Sequence, residues 1–353
     1  MQIQSAYFCC METEPVIKEE GADDLYERKS FKVDPGQEPL RIDKWVQHRI
    51  ENASRNKVQQ AIEAGFLTVN GKQVKSNYKI KPADHILLMS LTNPEYTEIK
   101  PENIPLNIVH EDDEVMVLNK PAGLVVHPGV GNYTGTLLNG IAYHLLQQKP
   151  DLTEEDLPRY GLVHRIDKNT TGLIVCAKTA QAAANLAKQF FNHTVSRKYI
   201  ALVWGNMEND EGVIEAHVGR HLRHRKMFAA YPEGESGKHA VTHYTVIERF
   251  HYVTLVACEL ETGRTHQIRV HLKHIGHTLF NDAEYGGDKI LKGTVYSKYR
   301  QFVENCFEIC PRVALHAATL GFVHPKSGRE LFFEAALPTD MSLLIEKWRK
   351  YAS

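Results

Sequence analysis

The sequence predicts an α+β fold with a mostly antiparallel sheet, preceded by a small N-terminal α/β domain. The chain has 353 residues, which is long for one average domain. Segments typical of strands occur in clusters, whereas a parallel sheet would alternate them regularly with helices. Two short helical patterns and a hairpin pattern fall close together near the N-terminus. We therefore expect a small domain at residues 39–91 and a larger one at residues 105–353.

The N-terminal part of the chain changes from acidic to basic. Residues 1–40 hold nine acidic and four basic side chains, whereas residues 41–81 hold three acidic and nine basic ones. Residues 1–38 lack hydrophobic periodicity and include Pro15 and Pro35. This composition predicts a flexible acidic leader ahead of a basic domain.

The elements of the small domain follow from local patterns. Ser54 is a candidate N-cap for a helix in RNKVQQAIEAG that ends at Gly65. The pair Asn70–Gly71 lies between alternating segments and predicts a hairpin, because both turn residues must tolerate a positive φ. A strand in HILLMSL closes the domain. An earlier helix is predicted by apolar residues that share one helical face, namely Ile42, Trp45, Val46 and Ile50.

The larger domain begins after a predicted linker at residues 92–104, where Pro94 and Pro101 stand among polar residues. The segment NIVHEDDEVMVLNKP predicts a hairpin that turns at Asp112–Asp113. Further strands are predicted in GLIVCAK, SRKYIALVWG, YVTLVACELE, LGFVH and ELFFEA. Helices are predicted in TAQAAANLAKQFFNH, in THQIRVHLKHIG from Thr265 onwards, and in SLLIEKWRKY.

Composition predicts a cytosolic protein with no membrane span. The apolar fraction is 42%, the charged fraction is 24% and the formal net charge is −1. Neither a signal peptide nor an apolar run as long as a membrane helix is present. The six cysteines are sparse and unpaired in pattern, which suits a reducing compartment.

Asp167 in HRIDKNTTGL is a candidate catalytic carboxylate. It stands between Arg165 and Lys168, just before a Thr-Thr-Gly turn. One interpretation is structural: Asp167 pairs with Arg165 or caps the turn. The other is a nucleophile or base that neighbouring cations keep ionised. Residue patterns alone leave both interpretations open.

Two further segments concentrate positive charge. In ETGRTHQIRVHLKHIGH, Arg269 falls in the first turns of a predicted helix, where it could be the counter-ion of an active-site carboxylate. The second segment, HVGRHLRHRK, is either a solvated face or a phosphate-binding surface, and the basic N-terminal domain favours phosphate binding. Its cations are Arg220, Arg223, Arg225 and Lys226.

Several classes of site are disfavoured by spacing. The histidines of the first segment lack HExxH spacing and the cysteines form no CxxC pairs, so a metal site is not expected. The motifs GxxxxGK[ST], GxGxxG and GxSxG are absent as well. Phosphate-loop enzymes, dinucleotide-binding enzymes and serine hydrolases of the usual kinds are therefore disfavoured.

Taken together, the segments resemble the RluA-type family of RNA pseudouridine synthases, especially its longer members that modify large-subunit ribosomal RNA. The similar motifs run in order from about residue 105 to residue 345. Residues 39–91 separately resemble the S-four-type RNA-binding domain that often precedes this catalytic domain. The motifs are NKPAGLVVHPG, HRIDKNTTGLIVCAK, RKYIALVWG, TGRTHQIRVHLKHIGHTLFNDAEYG, LHAATLGFVHPKSG and FEAALPTDM.

The resemblance implies a role for individual residues. Asp167 would be the nucleophile or base, Arg269 its ion-pair partner, and Tyr199 the ring that stacks on the target uracil. Arg165 would help to displace the flipped base and fill its place, since a base inside a helix is out of reach. Further residues implied in substrate binding are His164, Lys120, Arg264, His266, Arg220 and Arg223. Those implied for the N-terminal RNA-binding module are Arg41, Lys44, Arg55, Lys57 and Lys72.

The same resemblance implies a substrate, an oligomeric state and cofactor requirements for the protein. It implies an RNA substrate in large-subunit rRNA or a pre-ribosomal particle, a monomeric enzyme, and no cofactor or metal. Transfer RNA is the alternative substrate, and a non-catalytic RNA-binding ribosome-assembly factor is the alternative function. Asn169 departs from the family, in which an acidic residue is frequent at this position, but the carboxylate of Asp167 is retained.

Overall fold

The chain forms two units that divide near residue 100. The N-terminal unit comprises Met1–Lys100 with Gly129–Tyr133 and Thr153–Pro158, and the C-terminal unit comprises the remaining residues. The computed structural model describes residues 26–50, 55–63, 66–90, 99–129, 132–221, 224 and 227–352.

The described part of the N-terminal unit contains a four-stranded antiparallel sheet and two helices. The strand order is β1-β4-β2-β3. The turn between β2 and β3 confirms the predicted hairpin, because Asn70 has φ 52° and Gly71 has φ 74°. The elements are β1 (Tyr26–Lys32), α1 (Ile42–Gln47), α2 (Arg55–Glu63), β2 (Leu67–Val69), β3 (Lys72–Gln73) and β4 (His85–Ser90).

Strand β1 lies inside the segment that was expected to be a flexible leader. It pairs along its length with β4. Its end joins the core of the unit, since Phe31 packs edge-on against Trp45 with ring centroids 5.7 Å apart and Val33 is fully buried. The expectation of a leader reaching residue 38 is therefore corrected from residue 26 onwards. The strand is polar, so no local apolar pattern predicts it. It is recognised as a strand only by its pairing with β4.

The core of the N-terminal unit is formed by the apolar faces of its helices. Trp45 and Val46 of α1 and Val58 of α2 are buried against strand residues such as Leu67 and Ile86. The predicted helical face of α1 is thus confirmed, although the helix ends at Gln47. The predicted helix cap at 54, the helix stop at 65 and residues 1–25 lie outside the described residues.

The C-terminal unit is built on a ten-stranded sheet of order β10-β9-β11-β12-β8-β13-β7-β6-β5, with β14 also pairing β13. Only β7 and β13 are parallel in the described part of this sheet. The predicted α+β fold with a mostly antiparallel sheet is confirmed. Its strands are β5 (Ile108–Glu111), β6 (Val115–Lys120), β7 (Thr171–Ala177), β8 (Ser196–Trp204), β9 (Glu211–Arg220), β10 (Phe228–Tyr231), β11 (Lys238–Arg249), β12 (Val253–Leu260), β13 (Leu315–Val323) and β14 (Glu330–Glu334).

Helices pack against the sheet through two apolar clusters. One joins α6 and α7 to β8 and β12 around Trp204 and Trp348. The other joins α4 to β7 and β13 around Leu186 and Val175. The helices are α3 (Leu137–Gln148), α4 (Ala180–Phe191), α5 (Gln267–His274), α6 (Ser297–Ile309) and α7 (Thr339–Ala352), with a 3-10 turn at Pro158–Gly161.

Among the described α-helices and strands, six were not predicted from the sequence, namely β1, α3, α6, β9, β10 and β11. The signal for α3 was present, because Thr136 accepts a hydrogen bond from the Asn139 amide and the Asn139 side chain caps in return. Strand β9 overlaps the charged segment HVGRHLRHRK, which the sequence analysis assigned to no strand. Its residues Ile214 and Val218 are nevertheless buried. Helix α5 begins at Gln267 and not at Thr265, because His266 takes a left-handed conformation with φ 56°.

Candidate active site

Asp167 lines a cavity of about 470 Å³ in the C-terminal unit. It lies in the loop between the 3-10 turn and β7, where its backbone carbonyl accepts a hydrogen bond from the Thr170 amide at 3.1 Å. The Asp167 side chain is 20% exposed. Tyr199 and Arg269 line the same cavity, so the fold brings together three residues that are far apart in sequence. The volume is within the range of small-ligand sites.

Arg269 joins three carboxylates. Its Nη1 donates to Oδ2 of Asp167 at 3.1 Å. Its Nε and Nη2 form a bidentate pair with Asp282, with both distances 2.7 Å, and Nη2 also donates to Glu284. Helix α5 supplies Arg269 from its first turn, and the guanidinium lies 4.7 Å from the centroid of the Tyr285 ring. The carboxylates hold the pKa of Arg269 above its ordinary value despite burial.

The Asp282 carboxylate fixes this arrangement before any substrate arrives. It is 1% exposed, and both of its oxygens face Arg269. The motif segment NDAEYG contains Asp282 and Tyr285, but neither residue was predicted from the sequence to belong to the site. A pair of acidic residues close after a helix that carries an arginine was the available signal.

Tyr199 occupies a central strand of the sheet. On β8 it lies opposite Cys258 of β12 and Ala317 of β13. It is 7% exposed and contributes to the cavity wall. Burial raises the pKa of its hydroxyl, so Tyr199 remains neutral. A neutral aromatic ring on a rigid strand is suited to stacking on a flat base.

His266 lies beside Asp167. Its Nε2 is 3.8 Å from Oδ1 of Asp167, and its Nδ1 is 2.8 Å from the hydroxyl of Tyr285. Burial is the main reason that the pKa of His266 is below its ordinary value. The left-handed backbone at this position is uncommon for a residue with a side chain, and such conformations often mark functional sites.

Lys120 does not reach the cavity, which corrects the expectation that it contacts substrate. It is 1% exposed. Its Nζ donates to the backbone carbonyls of Pro121 at 2.8 Å and of Leu124 and Lys168 at 2.9 Å. All three ammonium protons are therefore used within the protein. Because Lys168 follows Asp167, Lys120 anchors the loop that carries the candidate catalytic carboxylate.

Arg312 is a second anchor for this loop that sequence reasoning missed. Its Nη1 donates to the carbonyl of Asn169 at 3.1 Å. Asp340 holds the same guanidinium through two further hydrogen bonds of 2.7 and 3.0 Å. Its segment lies just before β13, so only the folded sheet brings it to the loop.

The ring of His164 is held by the fold, although it contributes to the cavity wall. Its Nε2 accepts a hydrogen bond from the Val175 amide at 2.9 Å, and its ring stacks on Phe190 at 4.4 Å. Burial, together with the nearby charge of Arg197, lowers the pKa of His164 to about 3. The imidazole is therefore neutral at physiological pH, and its Nε2 is not available to a substrate.

The other residues expected to bind substrate differ in whether they line the cavity. Arg165 is exposed and lines the cavity. Arg264 also lines it, and its Nε donates to the carbonyl of His239 at 3.2 Å. Arg220 lies on β9 outside the cavity lining, with its guanidinium 4.9 Å from the centroid of Phe228. The arginine expected at 223 lies outside the described residues.

The expected RNA-binding residues of the N-terminal unit fall into two groups. Arg41 and Arg55 both donate to the fully buried carboxylate of Asp43, at 2.9 and 3.0 Å. These hydrogen bonds keep the pKa of Asp43 well below its ordinary value. Lys44 and Lys72 are exposed, and Lys57 lies in α2.

Throughout the part of the chain that the structure describes, no group of three or more His, Cys, Asp and Glu side chains could hold a metal ion. None of the helices in that part is both long and apolar enough to cross a membrane.

Comparisons with known proteins agree with this geometry. Residues 114–274 match the family model described as RNA pseudouridylate synthase, and residues 40–86 match the S4 domain, the S-four type expected from the sequence. An RNA pseudouridine synthase of Chlorobaculum parvum is 48% identical over 89% of this chain and 95% of its own. The ribosomal large subunit pseudouridine synthase D of Nitrosomonas europaea is 43% identical over 88% of this chain and 85% of its own.

A solved structure supports the fold alone. The human RNA pseudouridylate synthase domain containing 4 matches with a TM-score of 0.53 and 23% identity, over 69% of this chain and 93% of its own. The motifs, the sheet and the extent of the sequence matches lead to one conclusion: this chain belongs to the RNA pseudouridine synthase family, whose members isomerise uridine to pseudouridine, and it carries an S4 RNA-binding domain.

Proposed function

We propose that this protein converts specific uridines of large-subunit ribosomal RNA to pseudouridine. The 43% identity to a synthase named for that substrate, along most of both chains, supports the choice of RNA. The basic N-terminal segment supports a structured substrate with many phosphates. We further propose that the enzyme works as a monomer in the cytosol, on free rRNA or on a pre-ribosomal particle.

The domain organisation is part of this proposal. Residues 39–91 form the RNA-binding domain, residues 92–104 the linker and residues 105–353 the catalytic domain. The S4 match at residues 40–86 supports the first range, and the synthase match at 114–274 supports the last.

In the proposed mechanism, Asp167 reacts as a carboxylate. The isomerisation breaks a C–N glycosidic bond and forms a C–C bond, so the uracil must detach, turn and reattach while it stays trapped. A carboxylate can serve by attacking the ribose or the uracil ring, or by taking a ribose proton. The observation that supports this role best is the 3.1 Å contact with Arg269, whose orientation Asp282 fixes. Arg269 thus places a permanent positive charge beside the reacting oxygen.

The rest of the cavity holds the flipped nucleotide. Tyr199 provides the stacking face for the uracil. Arg165, exposed at the cavity, enters the RNA helix and takes the place of the flipped base, which offsets part of the unstacking cost. Arg264 adds positive charge to the wall, where a phosphate neighbouring the target uridine can bind.

Substitution of Asp167 tests the proposal. Asp167→Asn keeps the shape of the side chain and removes its negative charge, so we expect product formation to fall below detection while RNA binding is largely retained. Pseudouridine mapping of ribosomal and transfer RNA from cells lacking the gene, complemented with wild type or Asp167→Asn, measures product formation at each site, and a binding titration with the purified variant measures RNA binding. Sites restored only by wild type support the proposal, and their location identifies the substrate.

The same map separates the alternatives. Sites confined to transfer RNA would replace the ribosomal substrate with a transfer RNA substrate. If Asp167→Asn restored every site, or if deletion removed none, the protein would instead act as a non-catalytic RNA-binding assembly factor. A binding factor has no need for Asp167 and Arg269 to meet at a cavity that Tyr199 also lines, and this geometry is why we favour the enzyme.

A further inference from the structure

His266 stands between a tyrosine and the candidate catalytic carboxylate. Its Nδ1 is 2.8 Å from the Tyr285 hydroxyl, and its Nε2 is 3.8 Å from Oδ1 of Asp167. The side chain of His266 is 15% exposed, and its ring lines the cavity. The two ring nitrogens therefore face different groups. Which nitrogen carries the proton determines whether the ring presents a hydrogen-bond donor or an acceptor to the cavity.

The hydrogen bonds of Tyr285 determine that position. The backbone amide of Phe228 lies 3.0 Å from the Tyr285 oxygen, and an amide N–H can only donate. The tyrosine therefore accepts from Phe228 and has one proton of its own to donate. The Nδ1 of His266 lies within hydrogen-bond distance of the Tyr285 oxygen and can accept that proton. A nitrogen that accepts must be unprotonated, so a neutral His266 carries its proton on Nε2.

The charges around His266 come from several elements. Asp167 belongs to the loop before β7, Arg269 to α5, and Asp282, Glu284 and Tyr285 to the segment after α5. Glu284 is 3.9 Å from Nδ1, too far for a hydrogen bond. The carboxylates favour the imidazolium, whereas burial and the charge of Arg269 oppose it. Burial is the larger effect and lowers the pKa of His266, which favours a neutral ring.

We propose that Tyr285 is a positioning residue that fixes His266 as its Nε2–H tautomer, so that the imidazole presents a hydrogen-bond donor to a uridine in the cavity. This inference rests on the proposed function and assigns a further part of the same site. An Nε2–H has no free lone pair, so His266 cannot take a proton from the substrate through that nitrogen. The 3.8 Å gap to Asp167 leaves this donor available for a substrate oxygen.

Nuclear magnetic resonance tests the tautomer without any catalysis. Long-range ¹H–¹⁵N correlation spectra of the full chain with labelled histidines distinguish a protonated nitrogen from an unprotonated one, and His266→Gln identifies the signal. We expect His266 at pH 8 to be protonated on Nε2, and Tyr285→Phe to move the ring toward a mixture of tautomers. Protonation on Nδ1 in the wild type, or an unchanged spectrum in Tyr285→Phe, would overturn the inference.

Kinetics test the consequence. Tyr285→Phe removes only the hydroxyl and keeps the ring beside Arg269. We expect kcat to fall about three- to tenfold, as for the loss of one hydrogen bond, with KM for RNA unchanged. Tyr299→Phe is the matched control, because Tyr299 is a buried tyrosine whose hydroxyl donates to the Lys292 carbonyl. This control should keep the kcat of the wild type.

A double-mutant cycle separates positioning from general destabilisation. If Tyr285 acts through His266, adding Tyr285→Phe to His266→Gln should change kcat by less than about twofold. Independent, multiplying effects would contradict the inference. Asp167→Asn in the same assay tests the proposed catalytic role of Asp167 by itself: retained activity would refute that role. The tautomer is tested independently by the spectra.

Discussion

At the residue scale, the site depends on how one guanidinium is shared. Arg269 holds Asp167 by a single hydrogen bond of 3.1 Å but holds Asp282 by two of 2.7 Å. The bidentate pair is the stronger contact and sets the plane of the guanidinium. Asp167 therefore meets a donor whose direction is already fixed, and it remains partly exposed to the cavity.

His164 leads to a prediction about pH. In the unfolded chain its imidazole takes up a proton near pH 6.5, whereas in the folded protein it does so only near pH 3. Acid therefore favours the unfolded state, and the stability due to the neutral ring is lost as the pH falls through this window. Between pH 6.5 and 4, we expect the free energy of unfolding to fall by up to about 1.4 kcal/mol per pH unit more in wild type than in His164→Gln.

Urea unfolding at pH 7, 6, 5 and 4 measures this difference. Glutamine can still accept from the Val175 amide, so His164→Gln isolates the titration from the hydrogen bond. His274→Gln, at an exposed position on α5, is the control for the substitution itself. Parallel curves for wild type and His164→Gln would contradict the prediction.

At the element scale, the loop that carries Asp167 is held from both sides by cations bound to its carbonyls. Lys120 at the end of β6 donates to Lys168, and Arg312 before β13 donates to Asn169. Both side chains are buried, and neither lines the cavity itself. Their N–H donors hold this loop in place.

Lys120→Met tests this anchoring. The change keeps an unbranched side chain and removes three N–H donors, so we expect the free energy of unfolding to fall by about 2–4 kcal/mol. We also expect kcat to fall, because the Asp167 loop loses the support of its Lys168 carbonyl. Urea unfolding and single-turnover rates at saturating RNA measure the two effects. Lys149→Met, at an exposed position after α3, should change the stability by less than about 0.5 kcal/mol. If Lys120→Met behaved like this control, the anchoring role would be wrong.

At the scale of the whole molecule, a net charge of −1 conceals how the basic residues are used. In the N-terminal unit, Asp43 orients Arg41 and Arg55 and neutralises part of their charge. Lys44 and Lys72 are exposed and can contact a phosphate backbone. The exposed lysines should therefore contribute most clearly to the salt dependence of RNA binding.

The double variant Lys44→Gln/Lys72→Gln tests this contribution in the full chain. We expect weaker RNA binding and a reduction of about 1–2 in the slope of log K against log salt concentration, since each phosphate contact releases about one counterion. The kcat at saturating RNA should be unchanged, because neither residue lies in the unit that holds Asp167.

Binding titrations from low to moderate salt give the slope. Lys149→Gln/Lys298→Gln carries the same loss of charge at two exposed positions of the C-terminal unit that lie outside the cavity lining, and it is the matched control. Equal slopes for the two double variants would exclude a specific role of the N-terminal lysines in phosphate binding.

Features that lie in contiguous residues could be predicted from the amino-acid sequence. The turn at Asn70–Gly71 follows from two residues that tolerate a positive φ, and the structure confirms it. The family follows from long motifs in order, and those motifs locate Asp167, Tyr199 and Arg269. Such features can be predicted from the sequence because neighbouring residues alone produce them.

The contacts of the remaining side chains depend on the folded protein and could not be predicted from the sequence. A lysine in NKPAG has the pattern of a surface or substrate-binding residue, yet the carbonyls that surround Lys120 lie as far away in sequence as Lys168. Strand β1 is polar, and only its pairing with β4 identifies it as a strand. Asp282 belongs to the site because it forms an ion pair with Arg269 of α5. In each case burial and partners come from distant segments, so local periodicity carries no signal for them.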